Sequence, residues 1–245
     1  MIAYIQLRQV LRNKRFFFFT IIIPCFWYLF MLNLVKDSHL SNPLLNHLWF
    51  MWFLVACLMG ITGNSLVTFS KRTSTGRNYY LLETHLSHYS LWRFMCDQLL
   101  TQFILNTLIM LVIVTTGFVL GTIPTNLTLL ISLVLLNVFG IYSSIIGFVV
   151  GILLDSSIID AASAPLMIIV SLFIVPFKSF TAGPFVDLVT AIQKLFPGYY
   201  LYPIADRLMN NKNLTAPLLF FCLTTGITLI PFLAILWVKL IKKTR

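Results

Sequence analysis

Side chains able to ligate a metal, take a proton or attack a carbonyl are few and scattered in this 245-residue sequence. His85 and His88 stand three apart and would share one helix face, but Glu83 is the sole further ligand beside them, and a zinc centre needs three or four. The other histidines, His39 and His47, fall in loops or at the ends of apolar stretches, as His85 and His88 do. Cys25, Cys57, Cys96 and Cys222 show no CxxC spacing and read as packing residues, with neither a disulfide framework nor a metal site. No glycine-rich loop ending in Gly-Lys-Ser or Gly-Lys-Thr is present; Gly76-Arg77 lacks both the upstream glycine and the lysine that a phosphate cradle requires. The carboxylates Asp37, Glu83, Asp97, Asp155, Asp160, Asp187 and Asp206 all sit outside the apolar stretches, so no buried acid offers itself for ion coupling. These features predict a chain that is not an enzyme and binds no metal or cofactor of its own, and whose energy source lies elsewhere.

The elements that would carry such residues are set by lipid. Hydrophobic residues make up 59% of the chain and charged residues 10%, with a mean hydropathy of +0.92, against about 25% charged in soluble domains. A helix needs about 20 apolar residues to cross a bilayer core, and the few charges cut the chain into stretches of that size. Spans are expected at about 16–35, 46–69, 98–120, 127–154, 161–177 and 213–238. The third and fourth come from one long uncharged stretch, split at Gly121-Thr122-Ile123-Pro124-Thr125-Asn126, its one cluster of turn residues. The expected fold is an all-α integral membrane protein of six transmembrane helices forming a single domain.

Lysine and arginine orient it. Arg8, Arg12, Lys14 and Arg15 precede the first span; Lys71, Arg72, Arg77 and Arg93 lie between the second and third; Lys239, Lys242, Lys243 and Arg245 follow the sixth. In a six-span chain these groups share one side, leaving Lys36, Lys178, Lys194, Arg207 and Lys212 on the other. The bias places both termini in the cytoplasm. The net charge of +10 is thereby a topology signal with attraction to anionic lipid, and predicts no nucleic-acid partner. Residues 16–35 form too long an apolar run, with no small-residue cleavage site after it, for a signal peptide.

Between the spans, Ala3, Tyr4, Leu7, Val10 and Leu11 fall on one helical arc beside Arg8, Arg12 and Arg15, which predicts an interfacial helix over 1–15. Residues 71–93 form the largest cytoplasmic segment, with Tyr79, Tyr80 and Trp92 suited to the headgroup level. Asp155 and Asp160 bracket a tight turn at Ser156-Ser157-Ile158-Ile159 and read as helix-end residues. Over 178–212, Phe185, Leu188, Val189, Ile192 and Phe196 recur at helical spacing opposite Asp187, Thr190 and Lys194, and Pro197-Gly198 then breaks the pattern. That reads as two short helices re-entering the outer leaflet.

The opening QLRQVLRNKRFFFFTIIIPCFWYLF, with its early Pro24, and the segment Lys71-Arg72-Thr73-Ser74-Thr75-Gly76-Arg77 followed by Tyr79-Tyr80-Leu81-Leu82 and Thr84-His85-Leu86-Ser87 resemble the ABC-2 type permeases of bacterial ABC exporters. Lys71 stands where that family usually has an acid and His85 where it usually has a proline. The resemblance extends over essentially the full length. It implies type V ABC exporter architecture in a bacterial plasma membrane. It also implies that Arg72, Gly76, Arg77, Tyr80 and Leu82 form a coupling helix docked on a separate ATPase subunit, which would hold the ATP and magnesium. A second permease subunit, identical or homologous, and a hydrophobic or amphipathic cargo such as an antimicrobial or cytolytic peptide or a drug are implied as well. Phe53, Met59 and Asn64 on the second span, with Met167 and Phe173 on the fifth, are the candidates for lining its path. The alternative is a carrier or channel that works without a partner.

Overall fold

The computed structural model describes residues 7, 8, 10–12, 17–36, 42–76 and 91–238. Among these residues every regular element is a helix. A π-helical turn, Phe18–Ile22, leads into α1, Ile23–Lys36. Helix α2 begins at Asn42–Thr62 and passes through a π-helical stretch, Gly63–Phe69, before continuing as helix to residue 76. Then follow α3, Leu91–Val119; α4, Leu127–Leu153; and α5, Ser156–Ile174. Two short helices come next, α6 at Pro184–Gln193 and α7 at Leu201–Met209, and α8, Thr215–Leu236, closes the series.

Five of these helices are long and apolar enough to cross a membrane: Leu44–Gly76, Met95–Val119, Leu127–Leu153, Ser156–Ile174 and Thr215–Leu236. The apolar helix Thr20–Lys36 is shorter. The interfacial helix expected over 1–15 lies largely outside the described residues; within it, the Arg12 N–H donates to the Arg8 carbonyl at 3.1 Å and Val10 is buried.

Helices α2, α3 and α4 form the centre. Phe50, Phe53, Leu54 and Leu58 of α2 are fully buried against Leu105, Ile109 and Ile113 of α3 and Leu136 and Phe139 of α4. Helix α1 packs along α2, and α8 lies against α4 and the turn Pro197–Tyr200. Helices α5 and α8 are mostly uncovered by protein, and their exposed Ile168, Ile169, Leu172, Ile227 and Ile230 form the kind of surface that faces lipid.

The turn between α3 and α4 falls where Gly and Pro predicted it. Gly121 takes φ +65°, the Thr122 N–H closes on the Gly117 carbonyl at 3.0 Å, and the Asn126 side chain caps α4 by accepting from the Leu129 N–H.

Other boundaries differ from expectation. Residues 71–76 belong to α2 and residues 91–93 to α3, so the segment between the second and third spans is helical at both of its ends. Lys and Arg are good helix formers, and a helix does not stop where the hydrocarbon does. Ser156-Ser157-Ile158-Ile159 is the first turn of α5 and no loop; Leu154–Asp155 alone separates α4 from α5. Asp155 is the N-cap residue without a side-chain cap bond, while Asp160 makes an ion pair described below.

Candidate functional site

Asn and Gln side chains are costly in lipid unless they find partners. Gln98, Gln102 and Asn106 stand four apart on α3, so they share one face, and all three are buried. That face meets the π-helical stretch of α2. The Asn64 Nδ2 donates to Asn106 Oδ1 at 2.8 Å. Ser65 Oγ accepts from Asn106 Nδ2 at 3.4 Å and from Gln102 Nε2 at 3.5 Å, and lies 3.2 Å from Ser144 Oγ of α4. Ser144 Oγ also reaches the Gly140 carbonyl. The groups that meet in this geometry are amides, hydroxyls and a backbone carbonyl, all neutral hydrogen-bonding partners.

The close approach of α4 requires its glycines. A Cβ on Gly147 would lie 1.9 Å from the Ser65 carbonyl oxygen, and one on Gly151 2.5 Å from that of Ser70. Backbone thus touches backbone along the π stretch. A π-helix leaves a wider turn than an α-helix and is common where a helix serves a function. Here it carries Asn64 and Ser65 into the seam. Asn64 Oδ1 and Ser143 Oγ are among the buried polar atoms that find no hydrogen-bond partner among the described residues.

From Ser65 the polar contacts continue toward one end of the bundle. Arg72 lies 3.3 Å from Gln98 Oε1 and 3.5 Å from Gln102 Oε1, with its guanidinium 5.0 Å from the Phe69 ring centre. The ring and the planar cation suit each other. Lys71 Nζ donates to both carboxylate oxygens of Asp160, at 2.6 and 2.7 Å, tying α2 to α5. Ser74 Oγ donates to the Leu154 carbonyl at 2.7 Å, between α4 and α5. The final turns of α2 are in this way bound to three other helices.

At the opposite end lies α6. Thr190 and Gln193 are buried, while Phe185, Leu188, Ile192 and Leu195 are exposed, Phe185 by 76%. Thr190 and Gln193 face the protein, while Asp187 and Lys194 stay exposed. Gln193 Nε2 donates to the Leu172 and Val175 carbonyls at 2.6 and 2.7 Å, which are among the orphan acceptors at the end of α5. Phe196, expected with the outward apolar set, instead meets Phe139, Tyr142 and Phe173 at ring separations of 5.4 to 6.4 Å. His47 of α2 pairs with Asp206 of α7 at 3.0 Å.

The residues singled out in the sequence separate accordingly. Arg72 joins the seam and Gly76 ends the α2 extension; Arg77, Tyr80 and Leu82 lie outside the described residues. Asn64 is central to the seam, and the Met167 methyl sits against Gly63, at 3.4 Å from where a Cβ would stand. Phe53 is fully buried against Tyr28 and Phe50, Met59 is half-buried, and Phe173 touches Phe196. Phe53 and Phe173 belong to different ring clusters, Asn64 and Met167 meet at the π stretch, and Met59 lies one turn before it. Gln98, Gln102, Asn106, Ser65 and Ser144 were not among the expected site residues. Their signal was present in the four-residue spacing of the amides on α3.

A bundle of long apolar helices around an internal seam of neutral amides defines a multi-pass helical membrane protein. No family model matches the chain, and the searches of curated proteins and of solved structures likewise returned no match.

Proposed function

We propose that the chain is the membrane subunit of an ATP-driven exporter, with a separate ATPase subunit as its motor and a second permease subunit beside it. In this reading α1 counts as a sixth span, the Lys71 end of the bundle is cytoplasmic with both termini, and α6 and α7 re-enter the outer leaflet of a bacterial plasma membrane. The cargo is a hydrophobic or amphipathic peptide or drug.

The observation that supports it best is the α2 extension. A helix that leaves the apolar layer and remains tied to α3, α4 and α5 can carry a push from a soluble partner to the Ser65 seam without bending. A loop at that place would absorb the same push. Arg72 and Gly76 lie on this extension, next to the segment that resembles a coupling helix.

The experiment is affinity co-purification of the chain from its native host in mild detergent, with mass spectrometry and an ATPase assay. A nucleotide-binding subunit that accompanies the wild type and is lost in a Gly76→Trp, Arg77→Glu variant is the expected result. Recovery of the chain alone and without ATPase activity would instead favour a carrier or channel that works without a partner.

A further inference from the structure

We infer that the contact between α2 and α4 is a gate, closed in this structure, which opens from the Lys71 end and admits water as far as Asn64.

A row of buried oxygens along that contact lacks donors. Thr73 Oγ1, Asn64 Oδ1 and Ser143 Oγ find no hydrogen-bond partner among the described residues, and these residues are at most 4% exposed. Thr73 stands against Gly151, its Cβ 2.7 Å from where a glycine Cβ would be. Ser143 shares the glycine face of α4, three residues after Gly140 and four before Gly147. Asn64 adjoins Ser65, whose carbonyl meets Gly147. Hydroxyls close by are satisfied within their own helices: Thr62, Ser70, Thr75 and Ser144 each donate to a carbonyl one turn back. Thr73 and Ser143 make no such bond.

Backbone meets backbone at Gly147 and Gly151, which leaves no room for water there while the helices are in contact. A buried polar atom without a partner bears the full cost of its lost hydration. Parting the helices by about one water, roughly 2.8 Å between bonded oxygens, returns hydration at all three places.

The surrounding bonds determine which helix moves. Asn64, Ser65 and Arg72 of α2 bond to Asn106, Gln102 and Gln98 of α3, so α2 and α3 stay together. Helix α4 is tied to α3 by the 121–126 turn and by Thr107 donating to Asn137 Oδ1 at 3.0 Å. Leu58 and Ile61 of α2 and Leu136 and Phe139 of α4 are fully buried on the same side of the seam. That side is the pivot. Toward the Lys71 end, α4 is held to α2 by the Ser65–Ser144 contact, the Phe69–Phe148 ring stack and the Ser74 bond to the Leu154 carbonyl. These part on opening, while the long Lys71 side chain can follow Asp160 through a shift of that size. From Thr73 to Asn64 the opened slot is at most about 14 Å long, from the rise per residue.

Hydrogen exchange in the full-length chain, reconstituted in phosphatidylcholine–phosphatidylglycerol nanodiscs, tests this. The readout is amide exchange in peptides covering 64–73 and 143–151, with 50–58 as the reference. Thr73→Val and Ser143→Ala each delete one orphaned oxygen at nearly constant shape, which favours the closed contact. Each is expected to slow exchange in both peptides about five-fold relative to the reference, the lower end of what one unsatisfied polar group commands. Thr62→Val is the control, because the Thr62 hydroxyl is already bonded to the Leu58 carbonyl; it should leave both peptides unslowed. Exchange unchanged by Thr73→Val and Ser143→Ala, or slowed equally in 50–58, would overturn the gate. So would equal slowing by Thr62→Val.

Discussion

Replacing Gly147 with alanine should break the contact on which the internal seam depends. The added Cβ would stand 1.9 Å from the Ser65 carbonyl oxygen and 3.0 Å from its carbon, and both are backbone atoms that cannot rotate away. Ordinary contact begins at 3.4 Å, so α4 and the π stretch must part by about 1.5 Å, the shortfall between those two distances. Ser144 lies one turn from Gly147, and its 3.2 Å contact with Ser65 would pass out of hydrogen-bonding range. Overpacking of this kind costs about 1–3 kcal/mol, and an intramembrane hydrogen bond adds about 0.6 kcal/mol. The expected loss is therefore about 2–4 kcal/mol. Reversible unfolding in mixed micelles, titrated with dodecyl sulfate and followed by tryptophan fluorescence, measures it. Gly226→Ala is the control, because nothing lies within 4 Å of its Cβ position on α8; the gain in helix propensity there should leave stability equal or higher by up to about 1 kcal/mol. If Gly147→Ala and Gly226→Ala unfold at the same dodecyl sulfate fraction, the backbone contact between α4 and the π stretch does not hold the seam.

A double-mutant cycle of Asn64→Ala and Asn106→Ala, measured in the same titration, should give a coupling energy of about 0.6 kcal/mol and no more than about 1.7 kcal/mol, as for other intramembrane hydrogen bonds; strictly additive losses would place the two amides apart. Cys96, exposed near the start of α3 at the Lys71 end, should react with a membrane-impermeant maleimide in inverted vesicles and not in intact cells, read by peptide mass; labelling in intact cells would reverse the proposed orientation.

Much of the helical plan follows from where charge is absent. The stretches without Asp, Glu, Lys or Arg mark the apolar helices because lipid admits few charges, and the 121–126 turn is readable because Gly and Pro leave few backbone alternatives. Helix ends are less readable. Lys71, Arg72 and Arg93 mark the limit of the apolar layer, but α2 and α3 run past it, since the helical ladder continues in the headgroup region. The site was legible in part. The sequence singles out Asn64 as a candidate for the cargo path, whereas its partner Asn106 and the amides at 98 and 102 become meaningful only because α3 turns that face toward Ser65. The inward placement of Thr190 and Gln193 could not be read from periodicity, which finds an apolar and a polar side of α6 without saying which side meets protein. The carbonyls at the end of α5 decided it.

The sparse burial of α8 bears on how the chain is made. Synthesis delivers α2, α3 and α4 to the membrane before α8, and their mutual contacts, through Phe53, Leu58, Ile109 and Leu136, are complete without it. Helix α8 contributes few fully buried residues, Pro217, Phe221 and Leu236. It can therefore leave the translocon as an independent apolar segment and dock on a surface already formed. A ribosome stalled after α7 would leave in the membrane a nascent chain whose central three helices have found their places.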